Sequence, residues 1–358
     1  MMKRLRVFVP LLIIAFFINP SPSTAQEDVA GRIDAFLTNL ADQDIFSGAV
    51  LVAREGEILV SAGYGMANRD WEIPNTAETK FRIGSVTKQF TAMSILLLQE
   101  AGKLTIQDTI CTYIEDCPEA WAEVTIEHLL LHTSGIPNFT EFPDYTQLMG
   151  TRVTPIATIR RFKDMPLDFE PGSEWYYSNS GYVLLGYIID EVSGQSYQAF
   201  LKDNIFEPLA LTSTGYDDDR RIIKNRATGY ENSTRVASFI DMSLPYSAGA
   251  LYSTVGDLYR WMQALVNGEV MPQTVLDDMW EASVPIPDAP DVNYAYGLIT
   301  FAIDGHLNFG HNGSINGFNS TLNYFPDDQI TIIVLSNMET GSIQQIVDST
   351  LPMLLGES

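Results

Sequence analysis

Segments that read as β-strands lie at both ends of this chain, and helical patterns fill the middle. "SGAVLVAREGEILVSAGYG" (47–65) forms two strands around a tight turn at Arg54-Glu55-Gly56. Far away, "YAYGLITFAI", "GHLNFGHNG", "FNSTLNYF" and "QITIIVLSN" (294–337) are short and alternating or β-branched, with Pro326-Asp327-Asp328 turning the last pair. Between them, "VTIEHLLLHTSG", "SGYVLLGYIIDEVSG", "YQAFLKDNIFEPL" and "STVGDLYRWMQALVNG" carry helical spacing. The pattern predicts an α+β protein with one sheet drawn from both termini: 26–105 and 285–358 form the sheet-containing part, and 106–284 a mainly helical part. A cleft between the two parts is the natural place for a site. "EDVAGRIDAFLTNLADQ" sets Val29, Ile33, Phe36, Leu37 and Leu40 on one helical face, and "SIQQIVDSTLPMLL" reads as a closing helix.

The first residues have a different logic. Lys3, Arg4 and Arg6 precede an apolar run, Val7–Ile18, and then "NPSPSTAQE". That order marks residues 1–25 as a secretory signal cut after Ala25, with export to the periplasm or beyond. The run is shorter than the roughly 20 residues that span a bilayer, and no later stretch is apolar enough to do so. Cleavage removes three basic groups and no acidic one, so the formal charge moves from −24 to −27. A surface this acidic repels nucleic acid and anionic lipid, leaving a small molecule or peptide as the expected partner. Oligomeric state is not legible. Cys111 and Cys117 lack the spacing and neighbours of a zinc site, and in an exported chain they are expected to form a short-loop disulfide.

Three short motifs carry chemistry. In "FRIGSVTKQF" (81–90), Ser85 and Lys88 stand three apart where a helix is expected to begin, so their side chains share a face. The opposite stripe, with Phe90, Met93 and Leu97, is expected to be buried, and Gly102 to end the helix. A serine hydroxyl is a weak nucleophile until a base takes its proton, and a desolvated lysine can be that base. The plain alternative is a helix-capping serine with a surface lysine behind it.

Tyr177-Ser178-Asn179 sits just before an apolar helix; tyrosine can relay a proton, and asparagine can fix a lysine or a substrate amide. Ordinary helix-entry chemistry, with Trp175 and Tyr176 in the core, is its plain reading. A second Tyr-x-Asn at Tyr230 lies in a polar stretch with no helix after it and is set aside. His311-Asn312-Gly313 lies on an expected strand whose glycine would admit a substrate backbone, and the Ser314 amide is placed with that of Ser85 as an oxyanion hole. His128, His132 and His306 are assigned structural roles, and no histidine pair has metal-ligand spacing.

Taken in order, Ser-x-x-Lys, Tyr-x-Asn and a basic-x-Gly strand resemble the penicillin-binding-protein and β-lactamase superfamily. More narrowly the chain is similar to the class C β-lactamase-related serine hydrolases, which include D-Ala-D-Ala carboxypeptidases, D-aminopeptidases and esterases. "LLLHTSGIP", "FEPLALTST" and "SAGALYSTVGDLYRWM" extend the likeness from about residue 30 to the C-terminus. The resemblance implies an antiparallel sheet flanked by helices plus a mainly helical domain, with Ser85 at their junction. It implies Ser85 as the acylated nucleophile, Lys88 and Tyr177 as base and proton relay, and Asn179, His311, Gly313 and Ser314 around the substrate, with no cofactor.

One departure matters. Most β-lactamases of this type carry Lys-Thr-Gly where this chain has His-Asn-Gly. A histidine near its ordinary pKa of about 6.5 is mostly uncharged at neutral pH, which weakens an anchor for an anionic β-lactam. The expected activity is therefore hydrolysis of a D-amino-acid peptide or a small ester through an acyl-enzyme. A true β-lactamase, and a penicillin-binding sensor or silent scaffold, are the rival readings.

Overall fold

The computed structural model describes residues 24–356 except 273, 277, 278, 280, 281, 290, 341 and 342. Most of the expected signal segment, through residue 23, lies outside the described residues.

Eight strands form one antiparallel sheet: β1 (Gly48–Arg54), β2 (Glu57–Tyr64), β3 (Val284–Pro285), β4 (Asn293–Ala295), β5 (Leu298–Ile303), β6 (His306–Ile315), β7 (Phe318–Phe325) and β8 (Ile330–Ser336). Their spatial order is β3-β4-β5-β6-β7-β8-β1-β2. The N-terminal hairpin therefore joins the C-terminal strands through β1 and β8, in a register running from Gly48 opposite Ser336 to Arg54 opposite Ile330. Both faces of this centre are covered, and the two-residue period of a strand divides its side chains. Val50, Val52, Ile332 and Val334 pack under helices α1 (Thr24–Asp42) and α5 (Ile343–Leu355), with Ile33, Leu37, Val347 and Leu351. Ala49, Leu51, Ile333 and Leu335 face the larger core of the helical part.

That core contains α2 (Thr87–Glu100), α3 (Asn179–Ser193) and α4 (Val255–Val266). Helix α2 departs from expectation in two ways. It starts at Thr87, after a 3-10 turn at Gly84–Val86, and it is buried almost all round, with Leu97 only partly so. A helix wrapped on every side belongs in the middle of a domain. Other helices pack around it, α3 foremost, with Phe90 stacked on Trp261 of α4 at 4.2 Å. It closes as expected, with Gly102 at φ +65°.

Cys111 and Cys117 are joined in a disulfide. Tyr230 is buried, and its hydroxyl accepts the Arg69 N–H at 2.7 Å, a structural task. No helix among the described residues is long and apolar enough to cross a membrane.

Candidate active site

The turn bearing Ser85 is held from three sides. Phe81–Arg82 pairs with Leu251–Ser253, and the Ile83 N–H donates to the Leu251 carbonyl at 3.0 Å. Arg82 beside this pairing makes ion pairs with buried Asp217 at 2.8 Å and with Asp219 at 2.9 Å. The third hold comes from the sheet: the Ser320 hydroxyl on β7 donates to the Ile83 carbonyl at 2.8 Å. Gly313, opposite Ser320, explains why the contact can be so close. A Cβ there would lie 2.1 Å from the Ile83 carbonyl oxygen. The backbone that Gly313 admits on this side is the protein's own. Gly84, at φ +47°, meets the Ser314 backbone in the same way, so Ser85 rests on β6 with no side chain between.

Ser85 is not a cap. Neither the 3-10 turn nor α2 has a side-chain capping hydrogen bond at its start. Lys88, one turn on, is completely buried and is no surface lysine. Its Nζ lies 3.1 Å from Ser85 Oγ, 2.9 Å from Asn179 Oδ1 and 2.8 Å from the Ala248 carbonyl oxygen. No described carboxylate forms an ion pair with it, and desolvation pushes its pKa well below the ordinary lysine value. A neutral amine there can donate to Asn179 and Ala248 while its lone pair accepts from the Ser85 hydroxyl.

Asn179 opens α3, whose N-cap is Ser178. Its N–H donates to Asn138 Oδ1 and its Nδ2 to Thr140 Oγ1, both at 3.1 Å, which turns Oδ1 toward Lys88. Tyr177 hydrogen-bonds with the Ser85 side chain, and burial pushes its phenol pKa up, keeping it protonated. Lys88 Nζ sits 4.8 Å from the Tyr177 ring centroid.

Tyr177 is clamped by His132, a residue read from the sequence as merely structural. The His132 carbonyl accepts the Tyr176 N–H at 3.0 Å, and His132 Nδ1 accepts the Ser178 N–H at 3.1 Å. Both neighbours of Tyr177 are thus fixed by one buried histidine, whose ring lies 4.4 Å from that of Tyr177. Its burial and the nearby Lys88 hold it neutral. Tyr294 completes the aromatic wall, 4.5 Å from His132 and 5.9 Å from His311 between ring centroids. Tyr176 itself is exposed, contrary to a core role, and its hydroxyl donates to Glu141 at 3.0 Å. His128 caps a short helix and His306 pairs with Asp328, so both are structural.

His311 lies on β6 just past the last residue that β5 pairs, Gly310, so β6 is unpaired on that side from His311 onward. Its Nδ1 engages the Asn312 carbonyl, and its Nε2 is buried without a partner among the described residues. Desolvation, then the nearby Lys88, pushes its pKa down to about 3. The ring is therefore uncharged throughout the neutral range.

The cleft has two lobes that share Ser85, Ser314 and Asn319. One, of about 490 Å³, is lined by Tyr177, His311, Gly313, Ile343 and Gln344. The other, of about 400 Å³, is lined by Asn179, Thr140, Phe139, Tyr145, Met149 and Glu339. Thus Ser85, Lys88, Tyr177, Asn179, His311, Gly313 and Ser314 converge, and Thr140, Tyr145 and Met149 border the cleft. Cys111 and Cys117 lie elsewhere.

A serine and a tyrosine lining the cleft, joined to a buried lysine between an antiparallel sheet and a helical part, define a serine hydrolase of the penicillin-binding-protein and β-lactamase type. The "Beta-lactamase" family model matches residues 29–348, and the chain belongs to that family. A putative penicillin-binding protein, PbpX, of Bacillus subtilis is 31% identical over 90% of this chain and 78% of its own length. Protein flp of Staphylococcus aureus is 28% identical, and the match spans 65% of its length. Among solved structures, the octameric penicillin-binding protein homologue from Pyrococcus abyssi aligns with TM-score 0.80 at 30% identity, covering 92% of this chain and 78% of that one. The D-amino acid amidase from Ochrobactrum anthropi aligns with TM-score 0.82 at 25% identity, covering 92% and 99%.

Proposed function

We propose that the mature protein is exported and hydrolyses a small amide or ester, a D-amino-acid derivative first among them, through an acyl-enzyme on Ser85. The observation that carries this reading is Lys88, buried with no described carboxylate paired to it and 3.1 Å from Ser85 Oγ. Ser85 Oγ attacks the substrate carbonyl carbon while its proton passes to Lys88. The amides of Ser85 and Ser314 receive the developing oxyanion. Tyr177 then delivers a proton to the leaving nitrogen or oxygen as its bond to carbon breaks, and Lys88 restores the phenol. Water, activated by the same pair, releases the acid and frees Ser85.

The neutral His311 favours a peptide, amide or ester over a β-lactam, because no cation among the described residues lines either lobe to hold a carboxylate. The similarity to a D-amino acid amidase supports the same direction. A fluorophosphonate probe and a fluorescent penicillin, with adducts mapped by mass spectrometry, test the proposal. Labelling of Ser85 by the fluorophosphonate with weak or no penicillin adduct is the expected result. Saturable turnover of a β-lactam would move the reading to β-lactamase, and folded protein inert to both probes would remove the acyl-enzyme.

A further inference from the structure

Resting on that reading, we propose that the lobe away from Tyr177 is an acyl subsite for a substrate with a free, protonated amine, and that Glu339 holds the amine. The direction of the substrate follows from the proton. A leaving group that departs with a proton from Tyr177 must lie beside Tyr177, in the lobe with His311 and Ile343. The acyl portion then extends past Ser85 into the opposite lobe.

Glu339 is the one formally charged side chain among the described residues lining that lobe. It is set in place by the protein. Its Oε1 accepts the Gly317 N–H, in the turn between β6 and β7, at 2.7 Å, and its backbone carbonyl accepts Asn319 Nδ2 at 2.8 Å. Among the described residues Oε2 has no hydrogen-bond partner, so one carboxylate oxygen remains for a ligand. An ammonium donates hydrogen bonds and carries the complementary charge. Phe139, Tyr145, Met149 and Ile315 form the apolar part of the same lobe, which suits an apolar side chain on the amine-bearing carbon. The predicted substrate class is an amide or ester of an α-amino acid with its amine unblocked; an N-acylated substrate, or one presenting a carboxylate there, is disfavoured.

Protection of Ser85 against the fluorophosphonate tests this, using D- and L-phenylalanine amide and their N-acetyl derivatives at pH 7. Calorimetric titration of the same four compounds into the Ser85→Ala protein, with and without the Glu339 change, reads their affinity without Ser85 chemistry. Wild-type protein should prefer one free-amine enantiomer over its N-acetyl form by about 3- to 5-fold, the range of a solvent-accessible ion pair. Glu339→Gln, which keeps an acceptor for Gly317, should remove the preference, and Glu339→Lys should reverse it. The wild-type preference should fade above pH 8 as the α-amine loses its proton. Equal affinity for free and blocked amines, no measurable binding of any of the four, or a preference that survives in Glu339→Gln would overturn the inference. Amine preference without Ser85 labelling would instead sink the acyl-enzyme and leave the amine site standing.

Discussion

The Ser320 hydroxyl donates to the Ile83 carbonyl at 2.8 Å, across 237 residues of chain, and so fixes the backbone two residues before Ser85 to the sheet. Gly313, Ser320's cross-strand partner, leaves the space that this contact needs. The position of the nucleophile is therefore a property of β6 and β7 as much as of the helix that follows it.

Weakening this contact should separate stability from reactivity. Ser320→Ala leaves a buried carbonyl without its donor and should cost about 1 kcal/mol, with a several-fold slower acylation of Ser85. Gly313→Ala places a methyl 2.1 Å from the Ile83 oxygen and should be the more damaging change, by roughly 2–4 kcal/mol. Urea unfolding and fluorophosphonate labelling rates check both; a silent Gly313→Ala would mean that the turn is not held as described.

Ser85 and Lys88 should divide chemistry from folding. Ser85→Ala is expected to abolish labelling while thermal unfolding stays nearly unchanged. Lys88→Met fills most of the same volume without an amine, and acylation should fall by about 100-fold or more. A near-normal acylation rate in folded Lys88→Met protein would transfer the base role to Tyr177.

Acid stability should carry the signature of His311. Its folded pKa of about 3 lies below the ordinary 6.5, so between these values the unfolded chain binds a proton that the folded chain refuses. Stability from this group is present above pH 6.5 and falls as pH drops toward 3, by about 3 kcal/mol at pH 4. Buried His132 acts in the same direction. Asp190, raised to about 6 by desolvation, acts oppositely between 6 and its ordinary value. Comparing His311→Asn with wild type isolates one contribution: the variant should lose less stability between pH 7 and 4. Parallel curves would show that His311 titrates normally.

Removing the Cys111–Cys117 bridge should affect stability alone. A loop this short restrains the unfolded chain by about 2 kcal/mol in the chain-entropy account. Neither cysteine lines the cleft, so the doubly substituted Cys111→Ser, Cys117→Ser protein should unfold earlier but acylate Ser85 at the wild-type rate at 25 °C. Slower acylation in the folded variant would reveal a coupling between the connector and the site.

Much of the architecture was legible in the residues. Alternation in 47–65 and 294–337 gave the strands, and Arg54-Glu55-Gly56 gave a hairpin whose Glu55 and Gly56 both take positive φ. Helical spacing marked Ile33, Leu37 and Leu40 as a buried face. The order of Ser85-x-x-Lys88, Tyr177-x-Asn179 and His311-x-Gly313 named the residues that converge. Each is a local signal, because periodicity and turn chemistry act over a few neighbouring residues.

Other features have no local signal. The Ala248 carbonyl that meets Lys88 belongs to a backbone 160 residues away, and no side chain marks it. His132 looked like any helix-end histidine until Tyr176 and Ser178 folded onto it. Glu339 was one of many acidic residues until the β6–β7 turn fixed it beside the cleft. Even the chemistry of Lys88 was undecided by its spacing from Ser85. The sequence by itself determined which groups are present and in what order. Tertiary structure decided their protonation and aim, because desolvation and hydrogen-bond direction depend on the distant segments that exclude water and supply the partners.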